Sequence, residues 1–198
     1  DYDGETQAGI PAFSNTEYWG WNFEVDLNRA LSFQGFSGKE GWWLAMSLGY
    51  ERWQRDIRDG ETIYGGAVAG YTEDYAISYT RLGAKYTNAD SWSLMGGVKY
   101  PFHAEENVGF SRFGYDDIVL NPKGVMSLYA GIQYSLAPRW LVDVRYDSYR
   151  FNPSDWRFLS VNGVSVDQGR IGVCEAGECV SQPKSYQDTI MLKLSFTY

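Results

Sequence analysis

His103 is the only histidine in the chain. It follows Phe102 and precedes Glu105 and Glu106, with Ser111, Asp116 and Asp117 further along the same polar segment. A serine hydrolase needs a hydroxyl within reach of an imidazole, and an acid to orient that ring. Ser111, His103 and Glu105 or Glu106 are the residues that would carry such chemistry. A protease that activates water between acids and an imidazole would draw on Asp116 and Asp117 instead. Neither set has the local sequence pattern of those enzymes, and a lone loop histidine among acids is most often a solvated side chain. The expectation is a non-enzyme, with an outer-surface hydrolase using His103 as the alternative.

Other chemistry is narrower still. Cys174 and Cys179 are separated by Glu-Ala-Gly-Glu, with no histidine and no second cysteine pair nearby. That is a poor zinc site. A small disulfide loop is the better reading, and it implies an oxidising compartment. No cofactor and no metal is expected. The net charge is −8, and no basic run exists to neutralise phosphates, so nucleic acid is not an expected partner.

What must position these residues is a set of alternating strands. From Ile190 to the final residue, Ile190, Leu192, Leu194, Phe196 and Tyr198 share one face, and Met191, Lys193, Ser195 and Thr197 share the other. A period of two marks a β-strand with one apolar face. The same alternation begins near Tyr18, Trp42, Tyr75, Trp92, Val125, Trp140 and Tyr186, which makes seven clear strands. The pattern slips near Arg81, which suggests a bulge. Residues 1–16 read as loop, residues 62–70 as either a strand or part of a loop, and residues 103–124 and 152–184 as long loops. Residues 35–41 and 87–90 read as short connections.

Trp42, Trp92 and Trp140 each follow a short polar turn, and each of their strands runs on to further aromatics: Tyr50 and Trp53, Tyr100 and Phe102, Tyr146 and Phe151. Aromatics at both strand ends, short turns on one side and long loops on the other are the asymmetry of a transmembrane β-barrel. The longest apolar run, residues 42–46, is far too short for a membrane helix. The mean hydropathy of −0.39 would suit a soluble chain, but alternating strands average out in that index. A soluble up-and-down barrel, with its apolar face turned inward around a ligand, is the competing architecture.

The face opposite the apolar one carries Glu24, Asp26, Glu51, Lys99, Asp143, Arg145, Asp147 and Lys193. Inside a barrel these form a lumen charge network: either a plug that fills a narrow interior, or a pore lining in which five acids oppose three bases. The acids Glu105, Glu106, Asp116 and Asp117 and the aromatics Phe110, Phe113 and Tyr115 give the loop after Phe102 an acidic, sticky character that suits a protein contact.

Three stretches carry a resemblance to a known family: the terminal alternation of residues 190–198, Gly97-Val98-Lys99-Tyr100-Pro101-Phe102, and the hairpin of residues 127–151. Together they resemble the small outer-membrane β-barrels of Gram-negative bacteria, the OmpA-like and opacity-like proteins. The family's terminal insertion signal is similar to Ile190, Leu192, Leu194, Phe196 and Tyr198, although Lys193 stands where that signal usually has glycine. The resemblance implies an all-β fold: one antiparallel up-and-down transmembrane barrel over residues 1–198, of eight strands or else ten. With seven visible, the partner of the terminal strand is expected within residues 1–16 or upstream of Asp1. The implied location is the bacterial outer membrane, and the implied partners are its lipid and lipopolysaccharide, with a protein partner at the outer loops. This fold hosts anchors, adhesins, narrow pores and enzymes alike. The expectation is an anchor that presents outer loops for binding or assembly, then a narrow channel, then a lipid hydrolase or protease.

Overall fold

The computed structural model describes residues 2–5, 10–31, 40–88, 91–166 and 179–196. Cys174, Tyr198, residues 35–39 of the first connection and residues 89–90 of the second lie outside the described residues. Seven long strands dominate: β1 (Thr16–Leu31), β2 (Gly41–Ile57), β3 (Tyr71–Thr87), β4 (Trp92–Val108), β5 (Ser127–Ala137), β6 (Trp140–Asn152) and β7 (Ser185–Phe196). They join in chain order into one antiparallel sheet, β1-β2-β3-β4-β5-β6-β7.

The sheet curls on itself. Strands lie about 4.8 Å apart, so a flat sheet would separate β1 from β6 by about 24 Å and β2 from β6 by about 19 Å. Instead Arg145 Nη1 of β6 lies 3.9 Å from Glu24 Oε1 of β1. Tyr149 Oη of β6 donates to Glu51 Oε2 of β2 at 2.7 Å. The concave face is therefore the hollow of a curled half-barrel, called the lumen below.

The pleat sends the apolar residues outward. Trp21, Phe23, Val25 and Leu27 of β1, Leu44, Met46 and Leu48 of β2, and Ile190, Leu192 and Leu194 of β7 are all exposed on the convex face. Their neighbours in sequence line the lumen. The soluble-barrel alternative placed the apolar face inside, and the fold has the faces the other way round. Aromatics gather where β2, β3 and β4 approach the short-turn end: Trp42 packs on Tyr86 at 5.2 Å between ring centroids, and Tyr86 on Trp92 at 5.6 Å. Trp21 packs on Tyr50 at 5.5 Å nearer the other end.

Several segments differ from their sequence reading. Residues 1–16 are not plain loop: Tyr2–Glu5 and Pro11–Ser14 pair as strands, and Pro11–Ser14 also pairs with Gly60–Thr62, which pairs with Ala67–Val68. Residues 62–70 thus contribute one short strand, Ala67–Val68, and the last residue of another, Gly60–Thr62, to a small sheet at the long-loop end, not a barrel strand. β4 continues six residues past Phe102, and Ile118–Leu120 returns along it. The 152–184 segment carries short hairpins, among them Ser160–Val161 with Val164–Ser165. Its turn is Asn162-Gly163, both at positive φ (52° and 76°). That pair is the strongest short hairpin signal a sequence carries.

The irregularity near Arg81 lies slightly earlier, between Ser78 and Tyr79, and its extra residue is Phe102 on β4: Ser78 faces His103 while Tyr79 faces Pro101. Proline has no N–H to give to a ladder, so Pro101 sits where the ladder is already interrupted. The bulge leaves both Phe102 and His103 exposed.

Candidate functional site: the charged lumen

The inward faces of β1, β2, β3, β4 and β6 bring together Glu24, Glu51, Arg81, Lys99, Arg145 and Asp147. Arg81 is the hub. Its Nη1 donates to Glu24 at 2.8 Å, and its Nη2 pairs with Asp147. Lys99, fully buried at 0 % exposure, donates to both Asp147 oxygens at 3.1 Å. Its ammonium also lies over two tyrosine rings, 3.3 Å from the Tyr149 centroid and 4.0 Å from that of Tyr79. A cation withdrawn from water is held here by one carboxylate and two π faces.

The phenols extend the network. Tyr79 donates to Glu24 Oε2 at 2.8 Å, and Tyr149 to Glu51. Towards the short-turn end, Arg145 Nε donates to Asp143 Oδ2 at 2.8 Å, and Lys85 donates to Gln133 Oε1 at 3.0 Å. Towards the long-loop end, Tyr75, Ile77, Tyr79, Ala104, Tyr149 and Phe151 form a buried cluster against Trp53.

The lumen is thus filled in layers, polar below, ion-paired in the middle and aromatic above. A cavity of about 80 Å³ remains in the lower layer, beside Asp26, Arg81 and Gln133. Gly49 makes room for the middle layer, since a Cβ there would stand 2.3 Å from the Tyr79 ring. Gly49→Ala is expected to destabilise the protein by about 1–3 kcal/mol through overpacking, read from its urea unfolding midpoint.

Six of the eight charges singled out from sequence meet in this network. Asp26 and Lys193 do not join it: they lie on the edge strands β1 and β7 and are exposed, with Lys193 opposite Asp143 in register. The sequence reading missed Arg81 and Lys85. With them, Glu24, Glu51, Asp143 and Asp147 face Arg81, Lys99, Arg145 and Lys85, and the expected acidic excess is gone. Strict alternation from Lys99 across to its ladder partner Arg81 would have flagged the first.

A second buried cluster sits beyond Phe102. Glu106 is fully buried; Tyr75 Oη lies 2.7 Å from Glu106 and 3.0 Å from Glu73, which pairs with Arg55. The Gln182 amide faces both Glu106 oxygens at 3.0 Å. Burial, and then the neighbouring Glu73 charge, push the Glu106 carboxyl up to about 8. Tyr75 Oη donates to Glu106 and lies within reach of Glu73, so two carboxyls compete for one phenol proton, and burial favours the neutral form of Glu106. The raised folded value makes this contribution full below about 4.3, the unfolded glutamate range, and lost as pH rises through about 8. Stability is expected to fall between pH 5 and 8 in urea titrations, and Glu106→Gln is expected to flatten that slope.

The remaining candidates are scattered. His103 is exposed on the outer wall with Nε2 3.5 Å from Glu105, and Glu105 is exposed as well. Ser111 opens a short 3-10 turn, and its backbone N–H donates to Asp117 at 3.0 Å. Asp116 receives Ser160 Oγ at 2.6 Å and the N–H groups of Asn162 and Gly163, which hold its carboxyl below the usual range. This ties two outer segments together, as Arg112 with Asp59 at 2.7 Å ties two more. Phe110 packs 6.1 Å from both Tyr71 and Phe113. Cys179 is buried opposite Phe158 and is not a free thiol. Among the described residues no three His, Cys, Asp or Glu side chains converge as metal ligands. Comparison with known proteins finds no family model and no curated protein that matches this chain.

Proposed function

We propose that the protein is a non-enzymatic integral outer-membrane β-barrel that anchors in lipid and presents its long-loop end for binding or assembly. The observation that carries this reading is the inversion of faces: a convex wall of exposed tryptophan, leucine and isoleucine around an interior of paired charges. In water such a wall would be an aggregation surface, whereas in lipid it is the solvent-matched face. From Trp92 to Phe102, β4 spans about ten residues, the length of a tilted transmembrane strand.

The function as anchor rests on the filled lumen and on the worked outer end. Charges that neutralise one another and aromatics that fill the cross-section favour a plug over a conduit. The outer segments are clamped to one another by Asp59, Arg112, Asp116 and Ser160, yet they expose Tyr64, Trp156 and Val164, a surface suited to a protein partner. Phospholipid and lipopolysaccharide are the lipid partners on this reading, and the OmpA-like and opacity-like barrels are the family the chain resembles. A Cys174–Cys179 disulfide, with Cys179 already not a free thiol, suits an oxidising exterior. His103 on the outer wall, with an exposed glutamate as partner, supports the non-enzymatic assignment.

A narrow channel is the second reading, favoured by the polar cavity beside Asp26 and Gln133. Single-channel recording in planar bilayers tests the choice. The anchor is expected to give no current above background, and discrete conductance steps would replace it with the channel.

A further inference from the structure

On the convex wall towards the long-loop end, four strands set four residues in one ladder row. Trp19 of β1 faces Gln54 of β2, Gln54 faces Asp74 of β3, and Asp74 faces Asn107 of β4. The row shares its face with Tyr50, because Gln54 lies four residues along β2 from it and the strand repeats every two. Four residues are about 13 Å of strand, so the row stands beyond the apolar part of the wall.

The outer segments border this row. Asp59 accepts from the Gly70 N–H at 2.8 Å and pairs with Arg112, and Asp117 accepts from the Ser111 N–H at 3.0 Å. Together they enclose a hollow of about 450 Å³, within the size range of small-molecule sites. A second hollow of about 270 Å³ lies towards β1. It shares Gln54 and Asp74 with the first and is lined by Trp19, Trp21 and Arg52. Both indoles are exposed, and the Trp19 indole N–H donates to Gln54 Oε1, which ties that ring to the polar row.

The lining narrows the ligand. Arg58 pairs with Glu17 and Asp56, and Arg112 with Asp59, so the cations here are already answered by acids. A phosphate or carboxylate ligand would also meet the charges of Asp74 and Asp117. No three acids converge as metal ligands among the described residues. An apolar ligand would strip water from the carboxylates and return no hydrogen bond. Asp74 and Asn107 line the first hollow with no side-chain hydrogen bond to another described residue. A carboxylate beside a carboxamide offers acceptors and donors to neighbouring hydroxyls, and an exposed indole offers its face to the C–H side of a ring. An uncharged ring with many hydroxyls satisfies both.

We propose that this groove binds a neutral saccharide, one sugar ring hydrogen-bonded to Asp74 and Asn107 and the next lying against Trp19 and Trp21. The proposal gives a ligand class to the binding role of the long-loop end, and it rests on that reading for the side of the membrane the groove faces. Sugar chains of lipopolysaccharide in the same leaflet and oligosaccharides free in the medium share this chemistry.

The test titrates the purified protein, free of glycoside detergents, and follows tryptophan fluorescence and saturation-transfer NMR. The probes are neutral oligosaccharides built on glucose, galactose, mannose or N-acetylglucosamine, and the carbohydrate released by mild acid from the source bacterium's lipopolysaccharide. Saturable binding is expected: of the free oligosaccharides if the ligand comes from the medium, of the released carbohydrate if it comes from the leaflet. Asp74→Ala is expected to weaken binding about tenfold or more, as the loss of a charged hydrogen bond does. Trp19→Ala is expected to weaken it about threefold or more through the lost ring contact. Asp74→Asn replaces Asp74→Ala if that variant fails to fold. Tyr64→Ala, exposed and outside the lining of both hollows, is expected to bind as wild type. No saturable binding of any of these probes overturns the proposal, and so does binding that Asp74→Ala and Trp19→Ala both leave intact. Inorganic phosphate or calcium bound more tightly than every saccharide, and lost in Asp74→Ala, overturns it in favour of an ion site. Partition into the membrane fraction is scored separately, so saccharide binding by a protein recovered outside membranes keeps this site and removes the membrane reading.

Discussion

Asp147→Ala is expected to destabilise the folded protein by roughly 3–5 kcal/mol, the usual effect of removing one partner from a buried ion pair. Asp147 is the shared counter-ion of Arg81 and Lys99. Its loss would leave a fully buried ammonium over two tyrosine rings without its hydrogen-bonded carboxylate, and a guanidinium with Glu24 as its remaining carboxylate partner. Urea unfolding in detergent micelles, followed by tryptophan fluorescence, reads the change. Asp188→Ala supplies the control. Asp188 pairs with Arg150 at 2.7 Å on the exposed surface, and its loss is expected to leave the midpoint where it was. Equal midpoints for wild type and Asp147→Ala would mean that the lumen is wet enough to solvate both cations, which would reopen the channel reading.

Met46→Arg is expected to destabilise the protein by about 2–4 kcal/mol when it is refolded into phospholipid vesicles, as an arginine does at the midplane of a lipid-facing barrel wall. Met46 is 49 % exposed on the convex face of β2, midway between Trp42 and Tyr50. On a water-facing wall the same substitution would shift stability by no more than about 0.5 kcal/mol. The comparison is made by urea titration in vesicles, with Arg52→Lys on the same face beyond Tyr50 as the conservative reference. A vesicle value within that narrow surface range would remove lipid as the solvent of this wall, and with it the membrane assignment. The two substitutions are complementary, since one tests what fills the inside and the other what surrounds the outside.

The two experiments also separate what could be read locally from what could not. Alternation identified the seven long strands to within a few residues, because side chains on a strand point alternately to two faces whatever surrounds them. It also sorted Glu24, Glu51, Lys99, Asp143, Arg145 and Asp147 onto one face. It faltered on β3, where the inward residues Tyr75, Ile77, Tyr79, Arg81 and Lys85 mix aromatic, aliphatic and charged types opposite an outward face holding Ser78 and Thr80. Neither face is plainly apolar there, so the hub arginine went unnoticed. Residues 1–16 were misread for a different reason. A four-residue strand such as Tyr2–Glu5 carries too few alternations to register, and its pairing is supplied by a neighbour ten or so positions away.

Residue types along the chain already specify the strands, their order of apolar and polar positions, and the contrast between short and long connections. Those follow from covalent geometry and residue type. Which face is the inside follows from the curl of the sheet, because a period of two is symmetric with respect to curvature. Curling brought Glu24 to Arg145 across six strands and placed Lys99 between Asp147, Tyr79 and Tyr149. It also paired Tyr2–Glu5 with Pro11–Ser14, which leads into β1, so a segment that reads as loop in one dimension is strand in three.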